Sequence, residues 1–197
     1  MSSARRAAVV ASVATLAAGL VGVVRQRRES ARVRAGSLRP ASAAVELTPV
    51  RPPGRLGARL AGWQPERPRT TLGRVAAAAW ASPLTAVGLA LAGLAGRRPR
   101  WDADHGCLVV EAMRGPSAVA LRAVGADANT IGQVVLSRHA RTPVVLLAHE
   151  AVHVRQTERL GPLLFPVYVW LAARYGYRDH PLERAARTGA RRAIGTP

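Results

Sequence analysis

Two long uncharged stretches bracketed by arginine decide most of what this chain can fold into. The longer runs from Val75 to Gly96, between Arg74 and Arg97-Arg98-Pro99-Arg100. Its length suits a tilted bilayer span. Pro83 would kink such a helix without excluding it. A buried core helix is the competing reading, and the arginines at both ends argue against it. Those same flanks hide the orientation, because the positive-inside rule needs an asymmetry. The shorter stretch runs from Ala7 to Val24, between Arg5-Arg6 and Arg25-Gln26-Arg27-Arg28. It lies near the lower length limit for a span. A basic start and an apolar middle also describe a signal peptide. Arginine, however, follows at once where a small-residue cleavage site belongs, and Ala41-Ser42-Ala43 lies too far downstream. Residues 1–24 therefore read as a signal anchor and 75–96 as a transmembrane helix, at the cell membrane.

Residues 25–74, between the two stretches, read as a basic, Pro-rich linker in disordered or extended conformation. Charge is the second constraint. The chain of 197 residues carries a formal net charge of +18, and all 29 of its Lys+Arg residues are Arg. Exclusion of Lys matches the codon bias of a GC-rich genome. It also suits attraction to anionic lipid headgroups, which juxtamembrane Arg supplies directly. A nucleic-acid partner is not expected, since the sequence has no basic patch interleaved with aromatics and no binding motif. One cysteine, Cys107, leaves the redox compartment open and excludes a multi-cysteine zinc site within one chain. Aromatics make up 4% of the chain. A core this thin needs support from a metal or a bilayer.

Residues 97–197 hold the remaining domain, read as α+β. Gly106–Met113 has strand character, with a turn at Gly115-Pro116. Residues 117–123 are ambiguous between helix and strand. Ile131–Ser137 reads as one strand, which we expect at the sheet edge. Thr142-Pro143 opens a helix, with Thr as cap and Pro in its first turn. That helix should run to Leu160 and stop at Gly161. Apolar residues 163–175 form a second helix, and a third starts at Pro181.

The first of these three helices carries His149-Glu150-Ala151-Val152-His153. Residues four apart stand one above the other on a helix. His149 and His153 can therefore turn an imidazole nitrogen each toward one ion. Glu150 lies about 100° round the helix from His149. There it can take a proton from metal-bound water without ligating the ion. Zinc needs a third protein ligand, with a fourth position left for water. Gln156 and Arg159 stand where a metzincin has Gly and His, which excludes that class. Glu158 points away from the metal face. Glu183, thirty residues after His153 on a separate helix, has the layout of gluzincins. Its competing role is a helix cap, since it is the third residue of a helix begun by Pro181. His180 is the next ligand candidate. His105 and His139 have no paired spacing. Gln156, one turn beyond His153, is a candidate to orient that ligand. Tyr175, Tyr177 and Arg178 are candidates to stabilise an oxyanion.

The stretch from about Gly125 through Arg187 resembles a family of small, largely uncharacterised bacterial membrane proteins with a zincin-like site. The family's central motif, H-E-x-x-H-V-R-Q-x-E-R-x-G-P, matches His149 through Pro162. Its preceding strand, T-h-G-H-V-V-L, is similar to Thr130–Leu136, with Gln133 in place of His. Its closing Y-R-D-N-P-F-E-R-E-A is similar to Tyr177–Ala186, with His180 in place of Asn and Ala185 in place of Glu. Gluzincins at large often carry Asp four residues after the ligand Glu to orient a histidine, and Arg187 stands there instead. The resemblance covers roughly residues 70–190 and implies a zincin-like fold behind an N-terminal membrane helix.

These readings converge on a membrane-anchored zinc hydrolase acting on peptides or proteins. His149, His153 and Glu183 would ligate Zn2+, and Glu150 would serve as general base. Two other functions compete with this one. The metal could only staple a small, thin domain, or the chain could be a basic membrane-surface interaction protein.

Overall fold

The computed structural model describes residues 3–37, 43, 49, 53–123 and 126–195. It is a mixed α+β structure with one four-stranded sheet. Helix α1 spans Ser3–Arg34, α2 Arg55–Ala61 and α3 Thr71–Leu94. Strands β1 (Arg100–Asp102) and β2 (Cys107–Val110) follow, then α4 (Gly115–Ala123). Next come β3 (Ala128–Ile131), β4 (Val134–Ser137), α5 (Val144–Leu160), α6 (Leu164–Tyr175) and α7 (Pro181–Ala193). A short 3-10 turn, Gly161–Leu163, joins α5 to α6.

The sheet order is β1-β2-β4-β3, with β2 and β4 parallel and both outer pairs antiparallel. Successive side chains of a strand point to opposite faces, and both faces here are covered. Val110, Val134 and Leu136 join Ala92 of α3 and Ala118 of α4 in one apolar cluster. Cys107, Val109 and Val135 join Leu147 and Val154 of α5 in the other. The sheet thus lies between α3 and α5, and β3 and β4 hold the start of the HExxH helix.

Helix α3 is fastened to the sheet by small residues. A Cβ on Gly88 would stand 2.7 Å from the Ile131 carbonyl oxygen. At Gly132, φ is +68°, and a Cβ there would run into the Thr85 backbone at 2.2 Å. Only glycine meets both demands at Gly132. The Thr85 hydroxyl oxygen then accepts the Gln133 backbone N–H at 3.0 Å. Thr70 caps the helix by accepting from the Gly73 N–H. Among the described residues α3 alone is long and apolar enough to cross a membrane, and 17% of its most apolar window is buried.

Several local expectations are corrected. The segment 131–137 is not one edge strand. It belongs to a hairpin in which Ile131 pairs with Val134 across Gly132-Gln133. β4 is central, and β3 is an edge strand, as is β1 at the other side. Gly115-Pro116 opens helix α4 rather than closing a turn. Thr142 does not cap α5 through its side chain, and its backbone N–H donates to Glu111 Oε1 at 2.7 Å. The stretch read as linker, 25–74, is helical over 25–34, 55–61 and 71–74. Most of 38–52 lies outside the described residues.

The helical N-terminal residues are docked. Gly19 and Gly22 bring α1 close to Val169 and Ala172 of α6. Arg25 donates to the Arg174 carbonyl at 2.8 Å, and Glu29 accepts the Arg178 backbone N–H at 3.1 Å. α1 therefore braces the turn between α6 and α7, which carries Glu183 on its far side.

Candidate metal centre

Helices α5 and α7 cross with their buried faces in contact. His149 and His153 sit one turn apart on α5, and Glu183 in the first turn of α7 faces both. His149 Nε2 lies 3.2 Å from Glu183 Oε2. His153 Nε2 lies 3.3 Å from Glu183 Oε1. All three residues are buried, and their ligand atoms lie within 4.8 Å of one another. Bonds of 2.0–2.1 Å to a tetrahedral ion would hold neighbouring donors about 3.3 Å apart. Both histidine–carboxylate distances match that spacing, and the donor set is N, N, O. It can hold one metal ion.

Glu183 does not cap its helix. The N-cap position, His180, makes no side-chain cap hydrogen bond, and the Glu183 carboxylate is turned across to α5. Burial opposes its ionisation, but the imidazoles of His153 and His149 hold it well below the usual carboxylate range. Burial likewise opposes charge on His153, yet the Glu183 carboxylate prevails and lifts that imidazole to about 9. Such a coupled pair binds a proton where a divalent cation, with more charge, fits the same donors.

Both histidines are held from behind. His153 Nδ1 donates to Gln156 Oε1 at 2.9 Å, which fixes the ring with Nε2 turned to Glu183. Gln156 Nε2 donates in turn to the Trp63 carbonyl at 3.4 Å. His149 Nδ1 faces the Ala43 carbonyl at 3.4 Å. Gln156 thus sits where the sequence suggested. The support of His149 comes from the N-terminal segment, not from residue 187. Arg187 instead donates to the Arg178 carbonyl.

Glu150 is buried on the same helix but stands apart from the three donors. The Thr130 hydroxyl donates to its Oε2 at 2.6 Å. Thr130 belongs to the edge strand β3, so the carboxylate is aimed along the sheet edge. Sequence reasoning missed Thr130 in this role.

It also missed Tyr168, whose hydroxyl donates to Glu183 Oε1 at 2.6 Å. Burial, then the Glu183 charge, push that phenol well above its ordinary range, so it acts only as a donor. A hydroxyl in an otherwise apolar helix needs a partner when buried, and that was the available signal. Tyr177 is the one oxyanion candidate that meets the cluster. The Glu183 carboxylate, with which it hydrogen-bonds, raises its phenol well above 10, and burial adds to this. Tyr175 is turned to α2, its hydroxyl against Gly57 and accepting from Arg174. Arg178 is engaged through its backbone with Glu29 and Arg187.

His180 is not brought to the cluster. Its ring packs on Tyr168 with centroids 4.2 Å apart, and Nε2 donates to the Tyr168 carbonyl at 3.1 Å. Burial pushes its pKa down to about 4, so the ring is neutral. Glu158 is likewise outside the cluster, paired with Arg155 and accepting from Gln133 Nε2 at 2.7 Å. His105 pairs with Asp102, and His139 lies 4.0 Å from Asp127.

Searches of protein-family profiles, curated proteins and solved structures returned no match to this chain.

Proposed function

We propose that the protein is a membrane-anchored zinc metallopeptidase of the HExxH…E type. One observation carries the reading: two histidine Nε2 atoms converge on one carboxylate, while the neighbouring Glu150 stays free of that cluster. A structural site needs no such unligated carboxylate. A zinc ion held by His149, His153 and Glu183 would supply Lewis acidity to a water and to a scissile carbonyl. Glu150 would be the base that accepts a proton from the attacking water and returns it to the leaving amine. Thr130 holds the Glu150 carboxylate in place for both transfers. Tyr168 and Tyr177 fix the Glu183 carboxylate by donating to it. The edge of β3, unpaired among the described strands, suits an extended peptide, which would add to the sheet by main-chain pairing and pass Glu150. Helix α3, apolar and largely exposed, supplies the membrane anchor.

The burial of the ligands favours a second reading. His149 is 4% exposed and Glu183 3%, as in a metal that only staples the domain. One experiment separates the two. The purified full chain should hold about one zinc, and Glu150→Gln should keep both zinc and folding while losing peptide hydrolysis. Zinc content unchanged by the double substitution His149→Ala, His153→Ala would remove the metal site itself. Hydrolysis unchanged in Glu150→Gln would remove the mechanism.

A further inference from the structure

Helix α6 has two opposed faces. Tyr168 points inward to Glu183, and Leu171 is fully buried. Leu163 just before the helix, Pro166 and Trp170 lie roughly 140–200° round from Tyr168, at 100° per residue. All three are exposed, Leu163 to 58% and Trp170 to 47%. Exposed apolar residues are unremarkable singly, but a contiguous group on adjoining elements marks a contact surface.

The neighbours of α6 continue the surface. On one side, the ring of Trp80 from α3 lies against Gly161, at the start of the turn that leads into α6. α3 exposes Val75, Val87, Leu89 and Leu94, while Gly88 and Ala92 face the sheet. On the other side, α1 packs on α6 through Gly19 and Gly22 and exposes Val21, Val23 and Val24. α3 thus reaches the turn at the head of α6 and α1 packs along α6, and each of the three helices leaves apolar side chains exposed. α3 is also packed against the metal domain from Trp80 to Ala92, so the domain cannot hang below it as a tethered globule.

The occupant is indicated by the charges. Arg174 closes the stripe, with its guanidinium 6.0 Å from the Trp170 ring centre. An Arg beside a Trp at the margin of an apolar face suits the headgroup level, where both keep a polar end wet. Arg25, Arg27 and Arg28 follow the exposed valines of α1, and the chain has a net charge of +18. A lipid surface bearing anionic headgroups complements this pattern.

We propose that α6 and α1 lie against the bilayer beside α3, so that the protein meets the membrane through a three-helix layer and not through one anchor. The outer face of α6 is in lipid and its inner face holds Tyr168. The metal cluster then lies about one helix diameter, on the order of 10 Å, from the membrane. The contact does not depend on the metal or on catalysis.

The test uses the full chain in phosphatidylcholine vesicles containing phosphatidylglycerol. An environment-sensitive fluorophore is attached in turn to Ala86→Cys, Leu163→Cys, Trp170→Cys and, as a control on the metal domain, Arg141→Cys. The native Cys107 is buried and does not compete for label. Lipid-borne spin labels near the headgroup should quench about half or more of the signal at 86, 163 and 170, as for a face seated 5–10 Å into the interface, and far less at 141. Quenching at 86 alone would leave α3 as a simple tether and overturn the proposal. Quenching at none of the three overturns it as well, and so does equal quenching at 141. Leu163→Cys reports on α6 independently should Trp170→Cys fail to fold.

Discussion

Gln156 accepts the Nδ1 proton of His153 at 2.9 Å and hands its own amide N–H to the Trp63 carbonyl. The ring of His153 is thereby held by a neighbour on its own helix, which is itself anchored to a carbonyl outside the α5–α7 pair. Gln156→Leu should lower zinc affinity by roughly 10–100-fold, the usual effect of losing such a partner. Gln156→Glu keeps an acceptor for the Nδ1 proton and should retain most of the affinity. Chelator competition on the two variants measures this. Equal losses in both would make the residue a packing element only.

Tyr168 plays a comparable part for the third donor. Its hydroxyl holds Glu183 Oε1 at 2.6 Å, which leaves Oε2 directed at His149. Tyr168→Phe frees the carboxylate to rotate at little cost in volume. The expected result is about tenfold weaker zinc binding and a changed visible spectrum of the cobalt-substituted protein. An unchanged spectrum and affinity would show that the phenol has no hold on the ligand.

The cluster itself was legible because its geometry is helical. Four-residue spacing puts His149 and His153 on one face whatever the fold does. Glu183 followed from the need for a third donor on a second helix. The supports were not legible in the same way. Those from Ala43 and Trp63 are backbone carbonyls, which any residue offers, and only the tertiary path brings them to the site. Thr130 depended on register: reading 131–137 as one strand hid the hairpin that sets β3 at the edge. The warning was Gly132 inside an apolar run, where a turn or bulge is the usual cause. The role of α1 was hidden for another reason. Its hydrophobicity suggested an anchor, and nothing in one sequence reveals that Gly19 and Gly22 fit α6.

His180 makes the fold sensitive to acid. Its pKa is pushed down to about 4 by burial, against about 6.5 in an unfolded chain. Its contribution to stability is therefore complete above pH 6.5 and is lost as pH falls toward 4, because the unfolded state binds a proton that the folded state refuses. The loss amounts to a few kcal/mol at most. Asn at this position cannot take up the proton. In chelator, where no metal contributes, His180→Asn should melt lower at pH 7 for want of the ring packed on Tyr168. Its melting temperature should nevertheless fall less between pH 6.5 and 4.5 than that of the wild type. Parallel curves would show that His180 is not the group responsible.

The sharpest test concerns Glu183. As a metal ligand it would tie α7 to α5, and metal binding and folding would be linked through it. A metal present at about a hundred times its dissociation constant adds roughly 2.7 kcal/mol to the folded state. Glu183→Ala should weaken zinc binding by at least about tenfold. It should therefore lower the melting temperature strongly with zinc present. In chelator the same substitution removes the carboxylate's pairing with His149 and His153, along with the bonds from Tyr168 and Tyr177. A residue acting merely at the helix start would cost about 0.5–2 kcal/mol, and equally with and without metal. Melting temperatures of wild type and variant, each with zinc and with chelator, close the cycle. A larger shift with zinc assigns Glu183 to the metal. Equal shifts would return it to a structural part in α7, and the two histidines would then need another third donor.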